Sequence, residues 1–430
     1  MSELVDDIFP ESNLNALVIA YYFPPMGLSG VQRTLKFVKY LPDFGWNPVV
    51  LTTENSDYYA YDDTLLEEIP DIVKIFKVPE SKRKSKIKSK PRKFPNYFKQ
   101  RIGAAIVRFF KQPDSKIHWK KFALKEAEKI IQEHDIKIIF ATAPPFTSFL
   151  IAKELSEKYD IPFVIDYRDN WVDNPFHFYP TLWHKNYNIE LEKSVLTVSE
   201  RAFVITRYAK ELLLKRYRFL SHDDVVILPH GYDPEDFVNI PATINTRKLV
   251  FTHSGLFQDD RTPKYFLKAI NLFLKDYPDA TDEIELRFVG LMRPSHTRLI
   301  KRYKVANICT LTGYLNHKEA VQNLIESNVL WLTVNDTIRT PGKLYEYIGA
   351  MKPILYLGPQ GQISSIVKDT KAGFIVDNKK VKEISSVVKK IYLLWKDSNL
   401  PEPDKDNADN YNRKHITAQL ARQLSLHSKM

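Results

Sequence analysis

The sequence contains one cysteine, Cys309, so it can form no intramolecular disulfide and offers no thiolate partner for a metal. A reducing, cytoplasmic compartment is the expectation. Met1 to Glu11 is acidic and lacks a basic leader region, and no apolar run approaches the roughly 18 residues that a membrane span requires. Neither secretion nor a membrane span is expected. The P-loop pattern and the G-x-S-x-G elbow are also missing, which argues against a P-loop NTPase and a serine hydrolase. Histidines do not occur at metal-ligand spacing: His118, His230 and His253 stand alone, and each reads as a packed or hydrogen-bonding residue. No Asp-x-Asp pair lies in a convincing strand-end loop, so no metal is expected.

What is present is enough apolar material for two cores: 44% of 430 residues. The formal charge of +11 attracts anions without specifying which. Its densest part is Lys82 to Lys93, followed by an apolar and aromatic run from Tyr97 to Phe110 interspersed with Lys99, Arg101, Arg108 and Lys111. This stretch reads either as a solvated insertion or as a patch for an anionic membrane surface.

Short apolar runs alternate with helical periodicity along most of the chain. Ala16 to Tyr22 reads as a buried strand, Val31, Leu35, Val38 and Leu41 mark a helix, and Trp46 to Thr52 is the next strand. Further strands are expected at Ile136 to Ala141, Pro162 to Asp166, Val204 to Thr206 and Val225 to Leu228. Periodicity lapses around Asp236 to Arg247 and restarts at Lys248 to Ser254, which places a domain boundary there. The second unit has strands expected at Glu285 to Val289, Cys309 to Thr312, Val329 to Leu332, Pro353 to Tyr356 and Gly373 to Val376. The pattern implies parallel sheets covered on both faces, with domains 1–240 and 247–404. The tail 405–430, amphipathic from Asn412 to Leu426, is expected to pack back on the first domain.

Candidate functional residues fall where strands end, the usual ligand position in open α/β sheets. Gly27 and Gly30 sit in a strand-to-helix loop that brings backbone amides close to a phosphate, and Arg33 lies one turn into that helix. Asp166, Arg168 and Asp169 close a central strand; the alternative is an ion pair of Arg168 with a carboxylate that only locks the loop. In the second unit Gly255 ends a strand, with Arg261 and Lys264 at the start of the next helix, where cations can face a diphosphate. Thr340, Gly342, Lys343 and Glu346 follow another strand, Lys343 and Glu346 being three apart on one helix face. Surface charge is the plain alternative for Arg261 and Lys264, and an ordinary surface ion pair for Lys343 and Glu346.

These segments, taken in order, resemble the bacterial family-four glycosyltransferases, in particular the branch that builds capsule, exopolysaccharide and cell-surface glycans. The carriers are Tyr21-Tyr22-Phe23-Pro24-Pro25 through Gly30-Val31-Gln32-Arg33, the pair Pro144-Pro145, the block Asp166 to Trp171, and Pro341-Gly342-Lys343-Leu344-Tyr345-Glu346-Tyr347. The resemblance implies a GT-B fold, two Rossmann-like domains facing across a cleft, and a metal-independent transfer that retains anomeric configuration. It implies that Glu346 binds the ribose, that Arg261 and Lys343 hold the diphosphate, that Gly30 lets its loop close on the donor, and that Arg168 and Asp169 face sugar and acceptor. The implied partners are a nucleotide diphosphate-sugar and a glycan or polyprenyl-diphosphate-linked acceptor. The enzyme would then sit peripherally on the cytoplasmic face of the inner membrane through residues 82–111. No nucleic acid is expected. Two departures stand out: Ile338 occupies the place, eight before Glu346, of the family's other glutamate, and Lys264 follows Arg261 at an unmatched spacing. A GT-B sugar-nucleotide epimerase and a non-catalytic binder of polyanions or membranes are the competing readings.

Overall fold

The computed structural model describes residues 14–27, 29–54, 61–80, 109–174, 178–238, 240, 247–257, 261–338, 340–371 and 373–428. The chain forms two compact units, Met1–Pro229 with Lys414–Met430, and His230–Arg413.

The first unit is built on a seven-stranded parallel sheet. Its strands are β1 (Leu14–Ile19), β2 (Trp46–Glu54), β3 (Lys74–Pro79), β4 (Ile136–Ala143), β5 (Phe163–Tyr167), β6 (Arg201–Val204) and β7 (Val225–Ile227), in the order β3-β2-β1-β4-β5-β6-β7. Ala16 to Ile19 and Ile138 to Ala141 are fully buried because helices cover both faces of the central strands. These helices are α1 (Ser29–Tyr40), α2 (Trp119–Glu133), α3 (Thr147–Tyr159), α4 (Leu182–Leu196) and α5 (Arg207–Arg216).

Two local differences from the sequence expectation have simple causes. β3 was not anticipated: in Lys-Ile-Phe-Lys-Val-Pro only Val78 is buried, so an edge strand carries little apolar signal. β6 ends at Val204 instead of continuing to Thr206, because the Thr206 hydroxyl caps α5 by accepting from the Ala209 amide at 3.1 Å.

The second unit has a six-stranded parallel sheet, β10-β9-β8-β11-β12-β13. The strands are β8 (Leu249–Ser254), β9 (Ile284–Val289), β10 (Cys309–Gly313), β11 (Val329–Thr333), β12 (Ile354–Leu357) and β13 (Gly373–Val376). Its helices are α6 (Lys264–Asp276), α7 (Pro294–Arg302), α8 (His317–Ile325), α9 (Gly342–Gly349), α10 (Gln362–Asp369), α11 (Val381–Lys396) and α12 (Lys405–Asp409). Leu267 and Ile270 of α6 and Ile384 and Val388 of α11 enter one core with Leu286 and Trp331.

α12 remains with the second unit, where Ala408 is buried and the Asp404 carboxylate accepts from the Asn407 amide at 3.0 Å. Only the last helix, α13 (Arg413–His427), belongs to the first unit. Its Ile416, Leu420, Ala421 and Leu424 recur at helical spacing and join the core formed by Ala16, Val18 and Phe140. Each full-sized aliphatic side chain buried there stabilises the unit by about 1.5–3 kcal/mol. Among the described residues no helix is long and apolar enough to cross a membrane.

Candidate functional site

In both sheets the strand order reverses beside the first strand of the unit, between β1 and β4 and between β8 and β11. Loops diverge at such a point and leave a crevice at the carboxyl ends of the strands. In the second unit the sequence-derived residues lie beside these strand ends, and in the first Gly27 and Gly30 follow β1 while Arg168 and Asp169 follow β5.

In the second unit β8 ends in His253-Ser254, and Gly255 follows. Gly255 has φ of +89°, a left-handed conformation, and a Cβ placed there would lie 3.1 Å from Lys343 Nζ. Gly290, after β9, would put a Cβ 3.2 Å from the Gly255 Cα, so two glycine backbones pass in close contact beneath the site. Lys343, at the second position of α9, extends over Gly255 and contacts His253 Nε2 at 3.3 Å and the Leu256 carbonyl at 3.5 Å.

His253 is 2% exposed and lies flat on Phe257, ring centroids 4.0 Å apart. Its Nδ1 is 3.0 Å from the Trp331 carbonyl, which can only accept, so Nδ1 carries the proton and Nε2 presents a lone pair to the Lys343 ammonium. Burial, and then the Lys343 charge, hold the His253 pKa well below its ordinary value. Lys343 is itself lowered to about 7, by burial first and by the Arg261 guanidinium second, with Glu346 opposing. Arg261 is 8% exposed. Two cations are thus held close together in a largely desolvated place, an arrangement that an incoming dianion relieves.

The β11 side supplies the remaining groups. The Tyr347 hydroxyl accepts from the Ser254 amide at 2.8 Å and donates to the Trp331 carbonyl at 3.3 Å, tying α9 to the end of β8 and the middle of β11. Glu346 is partly exposed, one turn from Lys343. Gly342 opens α9, and the buried Thr340 hydroxyl, 4% exposed as a residue, finds no hydrogen-bond partner among the described residues. Lys264 differs from the sequence expectation. It is exposed at the start of α6, its ammonium 5.4 Å from the Tyr265 ring centroid, and it makes no charge contact with Arg261 or Lys343 among the described residues.

In the first unit Asp166 is fully buried and occupied by structural partners. The Arg33 guanidinium donates to it from Nη2 at 2.7 Å and from Nε at 3.1 Å, and Thr142 Oγ1 donates at 2.9 Å. Arg33 also donates to the carbonyls of Leu228 and Pro229. Asp166 therefore fixes α1 against the sheet, and the carboxylate of this loop pairs with Arg33 instead of Arg168.

Arg168 is spent on backbone. It donates to the carbonyls of Gly30, Pro144 and Ala143, so one guanidinium ties together the loops after β1, β4 and β5. Gly27 is buried, Gly30 lies at the start of α1, and Asp169 is exposed at the rim. The sequence reading missed Arg33 as a structural anchor and His253 as a neighbour of Lys343. An isolated histidine carries no local signal of such a neighbour 90 residues away.

Comparisons with known proteins bear on the family and the fold. Residues 29–236 match the model of Glycosyltransferase Family 4, and residues 236–414 match that of Glycosyl transferases group 1. The chain is a GT-B glycosyltransferase. Among solved structures the transferase superposes on sucrose-phosphate synthase from Thermosynechococcus elongatus with a TM-score of 0.62 at 11% identity, covering 95% of this chain and 97% of that one. Anabaena HepE in complex with UDP and glucose gives 0.61 at 12%, over 96% and 100%. A glycosyltransferase from Rickettsia africae gives 0.57 at 14%, over 96% and 93%. Identities this low establish the shared fold alone. No curated protein matches the transferase in sequence.

Proposed function

We propose that the transferase moves a sugar, with retention of configuration and without a metal, from a nucleoside diphosphate sugar to a glycan or lipid-linked acceptor in the assembly of a cell-surface polysaccharide. The observation that carries this reading is the coupled pair of cations, Arg261 and Lys343, at the crevice of the second sheet, with Lys343 over the bare backbone of Gly255. That pair matches a diphosphate in charge, and the glycine leaves room for phosphate oxygens to approach. Glu346 is assigned to the ribose, and the unpartnered Thr340 hydroxyl to a polar group of the donor. Structural neighbours crystallised with UDP and with UDP-glucose support a nucleotide sugar as the ligand class.

In the transfer step the bond between the anomeric carbon and the diphosphate oxygen breaks, and its electron pair leaves with the diphosphate. The acceptor hydroxyl oxygen forms the new glycosidic bond, and its proton passes to the departing phosphate. Arg261 and Lys343 stabilise the charge that builds on the leaving group, a kind of contribution typically worth about 10²–10³ in rate per donor. In the first unit Arg168 positions the three loops, and the exposed Asp169 is assigned to the acceptor side.

The test is turnover on a panel of nucleotide sugars, beginning with UDP-glucose, with and without a polyprenyl-diphosphate acceptor, and with chelator present. The expected result is chelator-resistant nucleotide release that rises with acceptor and falls about a hundredfold or more in Arg261→Ala at unchanged circular dichroism. Wild-type turnover in Arg261→Ala would remove the diphosphate assignment. Conversion of the donor sugar without acceptor would identify an epimerase.

A further inference from the structure

A lysine carries its ammonium on a long flexible stem, so a buried one ordinarily pairs with a carboxylate or snorkels to water. Among the described residues Lys343 makes no ion pair. Its neighbours are two neutral acceptors, His253 Nε2 at 3.3 Å and the Leu256 carbonyl at 3.5 Å. Both distances exceed the usual range of about 2.7–3.2 Å, so these contacts steer the amine without consuming it.

The turn after β8 builds this cradle. The left-handed φ of +89° at Gly255 reverses the chain, and Phe257 lies back on His253 with the ring planes 7° apart. His296 of α7 meets Phe257 edge-on, centroids 5.3 Å apart at 83°, and the Trp331 ring lies 4.8 Å from His253. The imidazole is therefore held by rings from three elements.

One carbonyl sets the register. The Trp331 oxygen accepts from His253 Nδ1 at 3.0 Å and from the Tyr347 hydroxyl at 3.3 Å, which uses both its lone pairs. Tyr347 lies one turn after Lys343 on α9, so the same oxygen orients both the imidazole and the helix that carries the lysine. With its Nδ1 proton committed to that carbonyl, His253 offers Lys343 the lone pair of Nε2. A residue that only packed would need neither nitrogen.

We propose that His253 is a positioning residue for the donor: its neutral imidazole accepts one hydrogen from Lys343 and holds the ammonium over Gly255, leaving the other hydrogens for a diphosphate. The proposal rests on the reading of Lys343 as a diphosphate ligand. The charged and titratable groups that act on Lys343 are Arg261 ahead of α6, Glu346 on α9 and His253 on β8, with His296 of α7 behind Phe257. Arg261 drives the proton off the amine, whereas the lone pair of His253 keeps it on.

The first measurement needs no donor. Lysine labelled with carbon-13 at Cε is followed by NMR against pH in the free protein, with Lys343→Arg assigning the signal. In wild type it is expected to titrate near pH 7. His253→Phe keeps a ring on Phe257 but removes the acceptor, and is expected to lower the midpoint by about one unit, the size of one hydrogen bond to a charged group. His253→Gln, whose amide oxygen can reach the place of Nε2, should restore most of the shift. His253→Asn, which keeps a donor for the Trp331 carbonyl and places nothing at Nε2, is the second variant should the phenylalanine not fold.

Calorimetry with the nucleotide sugar that wild type binds, UDP-glucose first, reads the consequence. At pH 8 a midpoint one unit lower leaves about tenfold less charged amine, so His253→Phe should bind about tenfold more weakly. At pH 5.5 the amine is mostly charged in both proteins, and the difference should shrink to about threefold or less. An unshifted midpoint in His253→Phe and His253→Asn would overturn the proposal. So would a loss of affinity by the same factor at both pH values, which marks a residue that only packs. A shifted midpoint in a protein that binds no nucleotide sugar would instead overturn the diphosphate reading, and the positioning role with it, by a result separate from the NMR titration.

Discussion

The lowered pKa of Lys343 makes donor binding a proton-coupled event. Burial and Arg261 hold it at about 7, so at pH 8 the free enzyme carries roughly a tenth of a proton on this amine. His253, held neutral by its own burial, does not compete for that proton. A diphosphate against Lys343 supplies opposite charge beyond that of Glu346, and such a partner raises an amine by about one to three units. Restored to about 9, the amine is roughly nine-tenths protonated at pH 8, so binding takes up about 0.8 proton. At pH 6 the amine is already charged and the uptake falls to about 0.1. Linkage then makes affinity about ninefold weaker at pH 8 than at pH 6. Titration calorimetry in buffers of different ionisation enthalpy measures the uptake directly. A nucleotide sugar is the right probe, since its diphosphate diester exchanges no proton in this range. Uptake below about 0.2 proton at pH 8, or the same uptake in Lys343→Arg as in wild type, would refute the assignment of Lys343 to the diphosphate.

Gly255→Ala places a side chain at φ of +89° and 3.1 Å from Lys343 Nζ. It is expected to lose about 1–2 kcal/mol of stability and to weaken nucleotide-sugar binding more than tenfold, as read by denaturation and by calorimetry. Arg33→Met leaves Asp166 buried opposite Thr142 alone, and should destabilise the first unit by about 3–5 kcal/mol. Adding Asp166→Asn should recover most of that loss; an equally unstable double variant would show that the pair is not the cause. Burial raises Glu192 from 4.5 to about 7, so the unfolded chain gives up this proton first as pH increases. The associated stability is full below about pH 4 and is lost as pH rises through 7, a total on the order of a few kcal/mol. Glu192→Gln should flatten the decline between pH 5 and 7 in urea titrations, and an unchanged slope would count against it.

The two-unit α/β plan was legible in the sequence because central parallel strands are buried on both faces and write themselves as continuous apolar runs. Leu17, Val18 and Ile19 are one such run, and Val329 to Leu332 is another. Strand ends were legible too: Gly255, Arg261, Lys343 and Glu346 lie on the loops and first helical turns beside one reversal of strand order. What the sequence hid depends on contacts across long separations. Arg33 and Asp166 are 133 residues apart, and nothing local distinguishes a buried arginine anchor from a solvated one. Lys264 read like Arg261 because both lie at the start of the same helix, yet Arg261 is 8% exposed and Lys264 lies in the open. The burial of His184, Asn188 and Glu192 on α4 is equally silent, since nothing local marks polar residues at helical spacing as turned inward. The expectation for the basic stretch 82–111 falls almost wholly outside the described residues, with Phe109, Phe110 and Lys111 the exceptions.

The assignment of the second unit as the donor site is tested most directly by a crystal structure of the transferase with a nucleotide sugar bound. The account predicts the two phosphates over Gly255, with Arg261 and Lys343 Nζ within hydrogen-bond distance of their oxygens and the ribose at Glu346. A diphosphate seated elsewhere, with Lys343 still against His253 and Leu256, would contradict it.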